Sequence, residues 1–65
     1  MNTQKLREIV EARVAEHEKF RAKTNARLDA KTDDHETVGL LKMALMCSTS
    51  ETDFLSILMK EMVDS

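Results

Sequence analysis

The side chains of this sequence that could carry out chemistry are two histidines, one cysteine and a few serines. His17 and His35 are each followed by a glutamate, as in the helical zinc motif His-Glu-x-x-His. The second histidine of that motif would stand at position 21 or 39, which hold Arg21 and Gly39. The spacing of Cys47 from the histidines matches no zinc finger. The sequence therefore predicts no metal site.

Nucleophilic catalysis has equally little support. Cys47 lies on an apolar face of a predicted helix, where a buried structural thiol is the expected role. Ser48 and Ser50 stand where hydroxyl groups commonly cap a helix. A single glycine argues against the glycine-rich loops that hold phosphate groups. We therefore expect no catalytic residue and no cofactor.

The composition predicts an all-α protein. The 65 residues include no proline, one glycine and two aromatic residues, and helix-forming residues dominate. This length predicts one domain over residues 1–65. The first apolar cluster is surrounded by charged residues, and no apolar run is long enough for a membrane span. Together with the single cysteine, these features predict a cytoplasmic protein that does not enter a membrane.

Two polar breaks divide the chain into three predicted helices, over residues 3–30, 34–47 and 51–63. The first break is the segment 31–34, where Asp33 and Glu36 resemble a capping box. The second is 48–50, where Ser48 and Ser50 each precede an acidic residue by three positions. The predicted fold is a long first helix followed by a short two-helix hairpin.

The middle helix is apolar nearly all round, which is typical of a buried helix. One apolar stripe contains Val38, Leu41 and Leu45, and a second stripe lies roughly opposite. The residues of the second stripe are Leu40, Met43, Ala44 and Cys47. In the last helix the predicted buried face contains Phe54, Leu55, Ile57, Leu58 and Met62.

The first helix has a weaker apolar face that does not keep clean coiled-coil positions over three heptads. That face includes Phe20, Thr24 and Leu28, with Arg13 and Arg21 along it. A short hairpin would cover only half of this helix, so we expect a homodimer to complete a helical bundle. The predicted dimer interface consists of Leu6, Ile9, Val10, Val14 and His17. His17 is expected to be half-buried and bonded to a carboxylate or to its dimer mate, or alternatively to make the interface pH-sensitive.

Charge is divided unevenly along the chain. Residues 1–31 hold eight Lys and Arg against five Asp and Glu, whereas residues 32–65 hold two against seven. The two halves are therefore expected to attract each other, either within one chain or between chains. A basic line at four-residue spacing follows the first helix and reads either as a solvated face or as a contact for phosphate or an acidic protein. The basic line consists of Lys19, Lys23, Arg27 and Lys31.

The sequence holds five methionines, and Met43, Met46 and Met59 are candidates either for core packing or for a groove that binds another protein. We expect a small helical interaction module, an adaptor or inhibitor of a larger protein, that acts by stoichiometric binding. The alternative is a nucleic-acid-associated regulator that uses the basic line. The net charge of −2 and the lack of stacking aromatics favour the protein partner over nucleic acid.

Overall fold

The chain forms a hairpin of two long helices. In the computed structural model, which describes residues 3–64, α1 spans Thr3–Ala30 and α2 spans His35–Asp64. The helices run antiparallel, and the molecule measures 46 × 15 × 15 Å. A helix of 28 residues is about 42 Å long, so the length of the hairpin is that of its helices. The described residues contain no strand, and the all-α prediction is confirmed.

The first predicted break is present and connects the two helices over residues 31–34. Lys31 follows α1 in the left-handed backbone conformation, with a φ of 56°. Its N–H donates to the carbonyl of Leu28 at 3.1 Å. Glycine is the residue that usually occupies this position, because it has no Cβ to clash with the following carbonyl. Lys31 therefore holds a conformation that costs a β-carbon-bearing residue free energy.

The residue that caps α2 is Asp34. Its Oδ1 accepts the N–H of Thr37 at 2.9 Å, three residues into the helix. The predicted capping box of Asp33 with Glu36 is wrong, because the Asp33 carboxylate has a different partner. Arg27 donates to both of its oxygens at 2.9 Å, which ties the last turn of α1 to the connection.

The second predicted break, at residues 48–50, does not exist. α2 continues through Ser48 and Ser50 without interruption, so there is one helix of 30 residues in place of two short ones. Ser48 is buried, with 4% of its surface exposed, and its hydroxyl contacts side chains of α1. The predicted helix start at Ser48 is therefore wrong. The Ser48 hydroxyl makes its hydrogen bonds with α1 and does not cap a helix, so the backbone can stay helical.

The two helices face each other through positions that alternate by three and four residues, the spacing of a coiled coil. The less exposed positions of α1 in this series are Arg7, Val10, Val14, His17, Arg21, Thr24 and Leu28. Those of α2 are Val38, Leu41, Leu45, Ser48, Thr52, Leu55, Met59 and Met62. The apolar pattern of the sequence did not reveal this series because polar residues fill many of its positions.

The interior of the hairpin is thin and partly polar. Among residues 3–62, only Val10, Thr24 and Ser48 are buried. Two of these three carry hydroxyl groups. Because α2 is as long as α1, it accompanies the first helix over its whole length. The uncovered half of α1 that motivated the expected dimer through Leu6 and Ile9 is therefore absent.

Candidate functional site

A polar cluster occupies the middle of the hairpin. It is built from both helices and consists of Arg13, His17, Arg21, Ser48, Glu51 and Thr52. His17 Nδ1 lies 2.7 Å from Ser48 Oγ, and His17 Nε2 lies 2.9 Å from Glu51 Oε2. The Nε2 contact is short but does not have the geometry of a hydrogen bond. Only 14% of the His17 side chain is exposed. We expected a half-buried histidine bonded to a carboxylate or to its dimer mate, and His17 is partly buried with the Glu51 carboxylate beside it.

Arg21 binds the α2 backbone and two hydroxyl groups of α2. Its Nη1 donates to Thr52 Oγ1 at 2.8 Å, to Ser48 Oγ at 3.1 Å and to the Ser48 carbonyl at 3.3 Å. The Thr52 hydroxyl donates to the same carbonyl at 3.0 Å. These bonds replace hydration of the polar groups that face α1, which would otherwise be costly to bury.

Glu51 is a partly exposed member of the polar cluster. Arg13 Nε donates to Glu51 Oε1 at 2.9 Å, and His17 contacts the other oxygen. Arg13, and after it His17, lower the pKa of the Glu51 carboxyl below its ordinary value of 4.5. Both basic groups come from the first half of the chain and the carboxylate from the second. The predicted attraction between the halves is therefore realised within one chain.

The polar cluster contains the residue types of a hydrolytic triad. The two ring nitrogens of His17 lie within hydrogen-bonding distance of Ser48 and of Glu51. A triad also needs N–H donors for the oxyanion and an accessible nucleophile. Ser48 lies in the interior of a helix, where the backbone N–H groups bond to carbonyls of the preceding turn. Its exposed fraction is 4%. The geometry is that of a structural network that sets the pairing of the two helices.

The second apolar stripe of the middle helix, which was predicted to be buried, faces solvent. Leu40 and Met43 are each 62% exposed. The stripe continues beyond the abolished break, because Phe54 and Ile57 are 64% and 62% exposed. Their predicted burial is also wrong, whereas Leu55, Leu58 and Met62 lie on less exposed positions. We call the outward series the outer stripe: Leu40, Met43, Cys47, Ser50, Phe54 and Ile57.

Cys47 belongs to this exposed surface. The prediction of a buried structural thiol is wrong, since the cysteine is exposed. It lines an open groove between the helices together with Phe20 of α1, which is 42% exposed. The groove is also lined by Ala44 and by four members of the polar cluster, Arg13, His17, Ser48 and Glu51. The apolar pattern of the sequence predicted that Cys47 and Phe20 are buried. The pattern does not show which of two apolar faces of α2 is covered when only one neighbouring helix is present.

The three candidate methionines do not form one surface. Met43 lies on the outer stripe, and Met46, which is 70% exposed, borders a shallow groove with Leu45, Thr49 and Ser50. Met59 occupies a less exposed position in the series that faces α1.

The basic line is accessible along α1. Lys19, Lys23 and Lys31 are exposed, whereas Arg27 is engaged by the carboxylate of Asp33. The line therefore offers three lysines and one arginine whose charge is already paired.

Of the predicted dimer residues, several are used within one chain. Val10 is buried at 5% exposure, Val14 lies on the same face, and His17 belongs to the polar cluster. Leu6 is partly exposed and Ile9 is 59% exposed. Self-association stays a prediction, and the largest apolar surface open to it lies on α2.

Within residues 3–64, neither helix is long and apolar enough to cross a membrane. The same residues include no group of three His, Cys, Asp or Glu side chains placed to hold a metal ion. Comparison with protein-family models, curated proteins and solved structures gives no significant match to this chain.

Proposed function

We propose that this chain is a small helical protein–protein interaction module, an adaptor or inhibitor that binds a larger protein stoichiometrically. The observation that supports the proposal is the exposed apolar side of α2, where five large side chains are more than 60% exposed. Apolar surface that is contiguous on one face of a small protein is typical of a binding site. The proposal includes a cytoplasmic location, in line with the single cysteine.

The distribution of residues inside the hairpin supports the same view. Polar side chains occupy the middle of the contact between the helices, while Leu40, Phe54 and Ile57 remain outside. Full burial of one such apolar side chain is worth about 1.5–3 kcal/mol. A sequence that only had to stabilise its own hairpin would place these residues inward. The free energy is thus available for association with another helical surface.

We assign to the larger protein the shallow groove lined by Leu45, Met46, Thr49 and Ser50, which we call the Met46 groove. Met46 is the most exposed large apolar residue of the described chain, and its flexible thioether suits an adaptable contact. An apolar side chain of the partner would lie against Leu45 and Met46, between the hydroxyl groups of Thr49 and Ser50.

The proposal is tested by isolating a partner from the source cell and measuring its binding with both proteins pure. We expect a saturable complex of fixed stoichiometry without turnover of a small molecule. Met46→Lys should weaken it at least tenfold, whereas Met46→Leu, the matched control, should bind like the unmodified chain. Equal binding by both variants would place the contact elsewhere. Consumption of a small molecule by the purified chain would contradict the proposal as a whole.

A second candidate function is regulation through nucleic acid, favoured by the exposure of Lys19 and Lys23 on α1 and of Lys31 just after it. The net charge of −2 and the pairing of Arg27 with Asp33 weigh against it. Filter binding across a salt series tests it, because phosphate contacts make affinity fall steeply with salt. Charge reversal at Lys19 and Lys23 should then remove the binding, and it should leave association through the Met46 groove unchanged.

A further inference from the structure

The outer stripe is symmetric along its own length. Its positions, 40, 43, 47, 50, 54 and 57, are separated in turn by three, four, three, four and three residues. The same spacing results when the stripe is read from either end. The larger apolar side chains lie towards the ends, and Cys47 and Ser50 lie on either side of the midpoint. Such a stripe is complementary to itself in antiparallel orientation.

The hairpin exposes more surface than a compact protein of its mass. A compact monomer of 7.4 kDa exposes about 4,200 Å² by the size scaling of folded proteins. One chain of this protein exposes 5210 Å² because it is elongated, and the outer stripe is part of that surface. A specific interface buries roughly 800 Å² on each partner.

We infer that a second copy of this chain packs antiparallel on the outer stripe, so that the two α2 helices lie side by side between the two α1 helices. In this register Leu40 lies opposite the partner's Ile57, Met43 opposite the partner's Phe54, and Cys47 opposite the partner's Ser50. A two-fold axis makes the contact isologous, with each pairing occurring twice. The inference rests on the proposed function in taking α2 as the binding face, and Met46 lies beside the contact.

The pattern of the outer stripe also ends symmetrically. Glu36 and Glu61 continue the same spacing beyond Leu40 and Ile57, and both are exposed. They limit the apolar contact to one length in both copies. In the dimer each Glu36 comes near the partner's Glu61, and salt screens the repulsion of such exposed charges. Dimerisation is therefore expected to strengthen as salt is added.

Sedimentation equilibrium of the pure chain tests the inference. The unmodified protein should have twice the chain mass at micromolar concentration. Met43→Asp with Phe54→Asp should raise the dissociation constant at least a hundredfold. Ile9→Asp is the matched control, since Ile9 is equally exposed but lies on α1. A monomeric unmodified chain would overturn the inference, and so would dissociation by Ile9→Asp with the α2 variant still dimeric.

Crosslinking tests the register and does not require a destabilised variant. Each Cys47 lies opposite the partner's Ser50, so the two thiols are offset by three residues, about 4.5 Å along the helix. A short bismaleimide should join them. In a Cys47→Ser background, a cysteine introduced by Leu40→Cys lies about 26 Å along the axis from its mate and should not be joined. Crosslinking at both positions indicates parallel pairing, crosslinking at neither indicates a free stripe, and either result overturns the inference.

These measurements use the chain alone, so they are independent of the larger partner. A monomer that still binds the larger protein would contradict the dimer only. A dimer with the expected crosslink that captures no other protein would contradict the proposed function only.

Discussion

The imidazole Nδ1 of His17 lies 2.7 Å from the hydroxyl oxygen of Ser48, although the residues are 31 positions apart in the sequence. The contact joins the middle of α1 to the middle of α2. Sliding either helix by one heptad would separate the two side chains by about 10 Å. The pair therefore favours one register of the hairpin in a way that apolar contacts, which are less directional, do not.

Replacing the buried hydroxyl tests this role. Ser48→Ala removes the hydroxyl partner of His17 Nδ1 and one of the three bonds from Arg21 to α2. Leaving a buried polar group unpaired costs about 1–3 kcal/mol. We expect the free energy of unfolding at neutral pH to fall by about that amount in urea titrations. Thr49→Ala is the matched control, since Thr49 is exposed on the adjacent position. A loss no larger than that of the control would show that the cluster contributes little.

A proline substitution distinguishes one continuous α2 from two helices. Ser50→Pro removes a backbone hydrogen bond inside the helix and should cost about 3 kcal/mol or more, with loss of helical circular dichroism. His35→Pro is the control, because His35 is the first residue of α2, where proline is tolerated. If Ser50→Pro were as stable as His35→Pro, the helix would have to break at residues 48–50.

The left-handed conformation of Lys31 predicts a stabilising substitution. Lys31→Gly relieves the clash of the β-carbon and should raise the free energy of unfolding by about 0.5–1 kcal/mol. Lys31→Ala removes the charge but keeps the β-carbon, and it should give no such gain. Thermal unfolding of the three proteins measures the difference. An equal gain from alanine would mean that the charge of Lys31, and not its backbone, is unfavourable.

Acid should destabilise the hairpin. The pKa of Glu51 is lowered by Arg13 and then by His17, that of Asp33 chiefly by Arg27, and that of Asp34 by Thr37. Each carboxyl therefore binds a proton less readily in the folded state than in the unfolded chain. Their contribution is complete above the ordinary values of 3.8 and 4.5 and is lost as pH falls through the lowered values.

Urea unfolding between about pH 6 and about pH 2 measures this loss. Glu51→Gln isolates the share of one carboxyl, because the amide keeps the shape but cannot ionise. We expect the variant to be less stable than the unmodified chain at neutral pH and to depend less on pH in the acid range. An unchanged pH dependence would show that the Arg13 and His17 contacts with Glu51 are too exposed to matter.

Features that depend on residues close together in the sequence could be predicted from the sequence. The helical content follows from the lack of proline and the abundance of helix formers, because these act within a few residues. The extent of the first helix and the break at 31–34 follow for the same reason. The attraction between the basic and acidic halves also follows, since charge acts over distances longer than a contact.

Whether a polar side chain bonds to its own helix or to the other helix depends on the tertiary structure. Ser48 carries the capping signal of a helix start, yet it lies inside α2 because His17 and Arg21 satisfy its hydroxyl. For the same reason, the sequence did not reveal that polar residues such as Arg21 and Thr52 lie between the two helices. The sequence shows that α2 has two apolar faces, but one neighbouring helix can cover only one of them. The packing of α1 decided which face was covered, and Leu40 and Phe54 remained outside as a result.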